Sequence, residues 1–303
     1  MNESTCSLAD FARYNITHDF PKEVYHVVSV ANSLILATAT LGNSVILAAL
    51  RRCRTLQPPS KALLYSLVLS DLGVGVLVIP LKLAWNLAVV LKKPSLYCFL
   101  WRSFRIMAAV LGTVSFFTTT AIALDRYLAF RLRIKYRQVI TLRKVVSLLI
   151  AEWILAIMWA CTEIVNETLN RVLGTIAILS CVVITLVCYQ RIYKGLRRQA
   201  ALIQVQCQLA TNQNNSSFSV GEYKRTVGNM VWVYCCLLVC YVPYYLNLIL
   251  LIAFDNDVLV LAKNVTSVVI YLNSSLNPVI YCWKMKEIRK ESFAIFQNIC
   301  HPM

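Results

Sequence analysis

Charge is scarce in this sequence. Only 15% of its 303 residues are Asp, Glu, Lys or Arg, against 58% hydrophobic ones, and the mean hydropathy is +0.63. A soluble domain of this size is thereby excluded, because its surface would need far more polar side chains. Histidine is nearly missing: His18, His26 and His301 all lie near the termini. A metal-dependent intramembrane hydrolase needs His and acid ligands inside its spans, so catalysis by that route is excluded too. No internal repeat and no series of intramembrane charges runs along the chain, which counts against a transporter or channel, the main rival from another class. The first 25 residues lack an apolar core behind a basic start. No cleaved signal peptide is expected, and the first span serves as the insertion signal.

What the chain has instead is apolar length. A spanning helix needs about 20 mostly apolar residues, and seven such stretches occur, at 26–50, 62–90, 97–124, 143–165, 172–190, 227–254 and 258–283. Hydrocarbon does not tolerate bare backbone polar groups, so runs of this length are helices. The expected fold is all-α: a seven-transmembrane-helix bundle (26–283) between an extracellular tail (1–25) and a cytoplasmic segment (284–303). In that segment Ile288, Phe293, Ile295 and Phe296 alternate with Lys284, Lys286, Arg289 and Lys290, the pattern of an amphipathic helix lying on the inner membrane surface. The Gln- and Asn-rich stretch 199–223 is expected to be a flexible cytoplasmic loop, and 166–171 a short link between the fourth and fifth helices.

The net charge of +16 is unevenly placed. Alternating the loops puts 21 of the 30 basic residues on the side of loops one, three and five and the C-terminus. By the positive-inside rule that side is cytoplasmic and the N-terminus is outside. Nucleic acid is not an expected partner. The sequons at Asn2, Asn15 and Asn166 fall outside and are candidate glycosylation sites. Of the 12 cysteines, most lie in spans or inside; Cys6, Cys98 and Cys161 are those able to reach the oxidising face and form a disulfide. Cys300 is a candidate for palmitoylation, with a plain thiol as the alternative.

Three polar features stand out within the spans. Asp71 sits mid-span with no basic residue at helical spacing, and Asn43, Ser115, Asn273, Ser274 and Asn277 lie at depths that let them converge on it. Such an oxygen-rich cluster suits a small hard cation or ordered water; the alternative is that the groups only satisfy one another. Asp125-Arg126-Tyr127 closes the third helix at its inner end. Asn277-Pro278-Val279-Ile280-Tyr281 in the seventh helix and Pro243 in the sixth introduce kinks, plausible moving joints.

In order, Gly42-Asn43, Ser70-Asp71, Asp125-Arg126-Tyr127, Trp153, Tyr189, Pro243 and Asn277-Pro278-x-x-Tyr281 resemble the rhodopsin-like (class A) G-protein-coupled receptors, and the resemblance covers nearly the whole chain. It implies a plasma-membrane receptor, not an enzyme, that binds an extracellular ligand and activates a heterotrimeric G protein as the sixth helix moves outward. It also implies that Asp71, Ser115, Asn273, Ser274 and Asn277 form an allosteric Na⁺ pocket. Arg126 matches the arginine held by Asp125 at rest, Tyr189 and Tyr281 the tyrosines that swing in to support it, and Tyr241 the position of the toggle tryptophan. The short second outer loop without cysteine, and Cys181 where a proline is usual, are similar to the melanocortin, cannabinoid, lysophospholipid and adenosine group.

Ala108 stands where amine receptors of that family carry an aspartate, and Tyr271 where retinal receptors carry a lysine. A monoamine and retinal are therefore not the expected ligands. Lys82, Trp85, Arg102 and Arg105 face Tyr241, Tyr244, Tyr245, Asn247 and Tyr271 across the outer half of the bundle. They outline an aromatic pocket with a cationic rim, suited to an acidic lipid, a carboxylate or an acidic peptide. The alternative is that these cations snorkel to the interface or pair with Glu163.

Overall fold

The computed structural model describes residues 22–165, 167–209, 238–251, 254 and 257–300, and their regular structure is entirely helical. The helices are α1 (Lys22–Arg52), α2 (Pro58–Val90), α3 (Pro94–Leu132), α4 (Leu142–Val165), α5 (Glu167–Leu209), α6 (Leu238–Leu251), α7 (Asp257–Lys284) and α8 (Lys286–Cys300). Six of the described helices are long and apolar enough to cross a membrane, and α6 is a shorter apolar one. The fold is a seven-helix membrane bundle with α8 appended. Ile154, Leu155, Ile157 and Met158 of α4 and Ile176, Leu179 and Val183 of α5 are each more than half exposed. An apolar outer face of this extent needs lipid around it.

Proline starts α2 and α3, where its missing N–H costs nothing and its φ is already helical. Within α2 the backbone passes through a π turn at Val74–Val78, immediately before Pro80. The wider turn accommodates the proline and rotates the outer half of the helix about its axis. As a result Lys82, Trp85, Asn86 and Val89, spaced as one helical stripe, all point inward. α3 runs through the middle, packed on α2, α4 and α5, while α1 packs on α2, α7 and α8. α8 docks Ile288 and Ile295 against Ile46, Ala49 and Leu50 of α1.

Parts of two expected loops are helical instead, while 210–223 lies outside the described residues. Residues 199–209 continue α5, because Ala200, Ala201, Leu202 and the glutamines are good helix formers with no Gly or Pro among them. Residues 167–171 form the first turn of α5 rather than a link.

Gly42 of α1 lies against the α7 kink: a Cβ there would sit 3.0 Å from the Cβ and Cγ of Pro278. Gly42→Val is therefore expected to cost about 1–3 kcal/mol through overpacking, read as a lower melting temperature of the purified protein; an unchanged value would show that α1 and α7 separate freely.

Candidate functional site

Asp71 is fully buried in α2 and is held from two other helices. Its Oδ1 accepts hydrogen bonds from Ser115 Oγ of α3 at 3.3 Å and Ser274 Oγ of α7 at 2.9 Å, and its Oδ2 accepts one from Asn277 Nδ2 at 2.7 Å. An ionised carboxylate at mid-span costs about 2.5–3.5 kcal/mol. Three interhelical bonds of roughly 0.6–2 kcal/mol each do little more than offset that, so stability alone does not explain the residue. Asn43 joins the cluster indirectly, donating to Ala39 O at 2.8 Å and Ser274 O at 3.0 Å, and its buried Oδ1 has no hydrogen-bond partner. Asn273 is buried nearby but makes no hydrogen bond to Asp71 among the described residues. A carboxylate, two hydroxyls and an idle amide oxygen make a donor set that fits a hard cation.

At the other end of α3, Asp125 is buried and tied to two elements besides its own helix. Ser60 Oγ of α2 donates to Oδ2 at 2.9 Å, and the hydroxyl of Tyr136, which opens the short helical turn Tyr136–Val139 in the connection after α3, donates to Oδ1. Arg126 Nε lies 3.9 Å from Oδ2 and its side chain is 30% exposed. A loose, half-open pair of that kind contributes only about 0–1 kcal/mol. Bonds from neutral donors to a carboxylate contribute about 1.5–3 kcal/mol each, so Ser60 and Tyr136 hold Asp125 more firmly than Arg126 does. Tyr281 is buried with its hydroxyl unpartnered, and Tyr189 packs with Tyr127 and Phe130 beside Ile192 and Leu196. Pro278 is buried inside α7, whereas Pro243 is exposed on α6.

Between these clusters and the opposite end of the bundle lies a cavity of about 1400 Å³. Lys82, Trp85, Arg105, Tyr244, Tyr245 and Tyr271 all line it, as do Tyr241, Ser115 and Ser274. Tyr241 packs on Phe116 with ring centroids 5.1 Å apart and stacks on Tyr245 at 6.4 Å. The aromatic belt expected from the sequence is therefore assembled, and it touches the residues that hold Asp71.

Comparison with known proteins places this arrangement. The family model for the 7 transmembrane receptor (rhodopsin family) matches residues 42–181 and 166–281. The chain belongs to the rhodopsin family of seven-transmembrane receptors. It is 25% identical to the histamine H2 receptor of Cavia porcellus over 313 residues, covering 95% of this chain and 81% of that protein. It is 24% identical to trace amine-associated receptor 1 of Mus musculus, covering 89% of each. A shorter match, 32% over 140 residues, links it to the adenosine receptor A2b of Bos taurus, covering 45% of this chain and 40% of that receptor.

In this receptor, sequence reasoning missed three side chains. Ser60 and Tyr136 carry no pattern of their own; only the fold brings them to Asp125. Glu152, by contrast, was visible as an acid next to Trp153 in the fourth span. Its Oε1 accepts a hydrogen bond from Thr118 Oγ1 at 2.8 Å, Thr118 neighbours Ser66 at 3.3 Å, and Trp153 Nε1 donates to Ser66 Oγ at 3.1 Å. This second polar string crosses α2, α3 and α4 one turn from Ser115.

On the outer face, Cys98 is disulfide-bonded, while Cys161 is free and exposed, so Cys161 drops out of the outer bridge. Asn2, Cys6, Asn15 and Asn166 lie outside the described residues, and so does the side chain of Cys300. With Cys161 free, the outer bridge expected from the sequence is one between Cys6 and Cys98. Peptide mapping without reduction is expected to find a Cys6–Cys98 cross-link; recovery of Cys6 as a free thiol would contradict it.

Proposed function

We propose that this protein is a plasma-membrane receptor, N-terminus outside, that binds an extracellular ligand in the cavity below Lys82 and activates a heterotrimeric G protein through Arg126. The observation that carries the proposal is the closure of Asp125 by three partners, Ser60, Tyr136 and Arg126. A carboxylate shared by α2, the connection after α3 and the neighbouring arginine is a resting lock, and a lock of this kind needs a second state in which Arg126 is free and α6 has moved outward. Tyr241 at the cavity floor, in contact with Phe116 of α3, offers a physical route from ligand to α3 and α6. The inner start of the sixth span, with Glu222, Lys224 and Arg225, borders the same mouth in the sequence but lies outside the described residues.

In the same reading Asp71, Ser115 and Ser274 hold Na⁺, with Asn43 and Asn277 supporting them. The ion supplies a positive charge that braces α2, α3 and α7 in the resting arrangement. The names of two relatives carry histamine and trace amine. In this chain Ala108 lines the cavity where an amine's carboxylate partner is expected, so a monoamine is not the proposed ligand. The alternative from another class, a seven-helix transporter, has no repeated halves to support it. The test is reconstitution in bilayer discs with a heterotrimeric G protein. The receptor is expected to speed nucleotide exchange over empty discs, and no acceleration with any heterotrimer class would refute the reading.

A further inference from the structure

Lys82 is 4% exposed, although a lysine in the outer half of a span is free to snorkel to the interface. Its ammonium is turned inward instead. Nζ lies 4.1 Å from the centroid of the Trp85 ring and 5.2 Å from that of Phe104, and it donates to Asn264 Oδ1 of α7 at 3.3 Å. Among the described residues no carboxylate lies within ion-pair distance of it. A second cation, Lys263, precedes Asn264 on α7 and lines the same cavity. Two ring faces and one neutral amide are the groups that meet the ammonium among the described residues. Taking an ammonium out of water is costly, and a neighbouring cation adds to that cost. Among the described residues no anion balances this charge, and a bound anionic group would do so.

The cavity also has a shape. Below Lys82 its wall includes Ala108, Ala109, Gly112, Phe116 and Ile178, apolar or small, with the hydroxyls of Thr113 and Ser115 among them. From Phe104 to Phe116, α3 rises about 18 Å, and the volume exceeds the range of roughly 300–1000 Å³ that suits a compact ligand. Among the described residues the one acid lining the cavity, Glu152, is held by Thr118, about 21 Å along α3 from the level of Phe104. Among the described residues the outer end is thus cationic and aromatic, the body mostly apolar, and the carboxylate remote.

We infer that the ligand is an anionic amphiphile: a carboxylate or phosphate head seated between Lys82, Lys263 and Asn264, and an apolar chain running down the cavity toward Tyr241. This inference rests on the receptor reading for its role in signalling, but not for binding itself. A head that draws α2 and α7 together at one end and a chain that presses on Tyr241 at the other would couple occupancy to α6.

The experiment measures competition in bilayer discs against a fluorescent octadecenoate, using octadecenoate, its methyl ester, the matching amine and a lysophosphatidate. Wild type and Lys82→Arg are expected to bind an acid at least about tenfold tighter than the ester. Lys82→Met should bring acid and ester within about threefold. Without ligand, Lys82→Met should melt at a higher temperature than wild type, since it removes a buried charge; that result also verifies that the variant folds. The carboxylate and the phosphate probes compete with each other for the head type. Equal binding of acid and ester, no binding of either, or an acid preference that survives Lys82→Met would overturn the inference. Tighter binding of the amine, lost in Glu152→Gln, would overturn it in favour of a cationic ligand at Glu152. Arg126→Ala should keep the acid preference, so selective binding without nucleotide exchange in wild type would sink the coupling reading and leave the anion site standing.

Discussion

Arg126→Ala is expected to abolish G-protein activation while leaving the receptor folded and at the cell surface. Arg126 makes no strong contact at rest: its Nε is 3.9 Å from Asp125, and nearly a third of its side chain is exposed. Removing it therefore costs the resting fold about 0–1 kcal/mol. Its guanidinium is the charged group that the resting lock leaves half free at the end of α3, and its donors suit the carbonyls at the end of an incoming helix. Loss of the guanidinium takes away a contact made only in the active state, so signalling falls without a matching fall in abundance. Surface labelling and second-messenger output, measured together, check this. Ordinary signalling from a well-expressed Arg126→Ala receptor would make the arginine a mere flanking charge of the span.

Asp71→Asn is expected to remove every response of the receptor to sodium. The amide keeps the size of the carboxylate and can still accept bonds from Ser115 and Ser274, so the fold survives. It lacks the charge that makes the cluster attractive to a cation. In wild type, sodium at about ten times its dissociation constant should add roughly 1.4 kcal/mol of stability by mass action, which raises the melting temperature by a few degrees over equimolar choline chloride. The increment should be absent in Asp71→Asn. A wild-type melting curve indifferent to sodium, or a variant that keeps the increment, would mean that Ser115, Ser274 and Asn277 merely satisfy the carboxylate.

The bundle itself was legible because hydrocarbon imposes long apolar helices, and the depth of a residue along such a helix comes from counting. That is why Asp71, Ser115, Ser274 and Asn277 meet as their spacing implied. What counting does not give is rotation about each helix axis. Asn273, one residue before Ser274, is buried without a hydrogen bond to Asp71 among the described residues, and Asn43 reaches the backbone of α7 instead of the carboxylate. The π turn before Pro80 changes the facing of the whole outer half of α2, so sequence alone leaves open whether Lys82 snorkels or points inward. Connections were the least legible part: Tyr136 comes to Asp125 through a 3-10 turn at Arg133–Lys135, where the φ of Arg133 is 48°, and 199–209 reads as linker by composition although its residues favour helix and continue α5.

The lock at Asp125 is the centre of the account, and basal nucleotide exchange by Asp125→Asn in bilayer discs tests it most directly. The amide weakens the charge-assisted bonds from Ser60 and Tyr136 by about half and frees Arg126 altogether. Halving two bonds of about 1.5–3 kcal/mol each costs the resting state about 1.5–3 kcal/mol, which raises the active population roughly ten- to hundredfold while that population is small. The account predicts a rise of that order in ligand-free exchange over wild type at equal receptor density. Basal exchange equal to wild type, from a variant that melts at the same temperature, would contradict it.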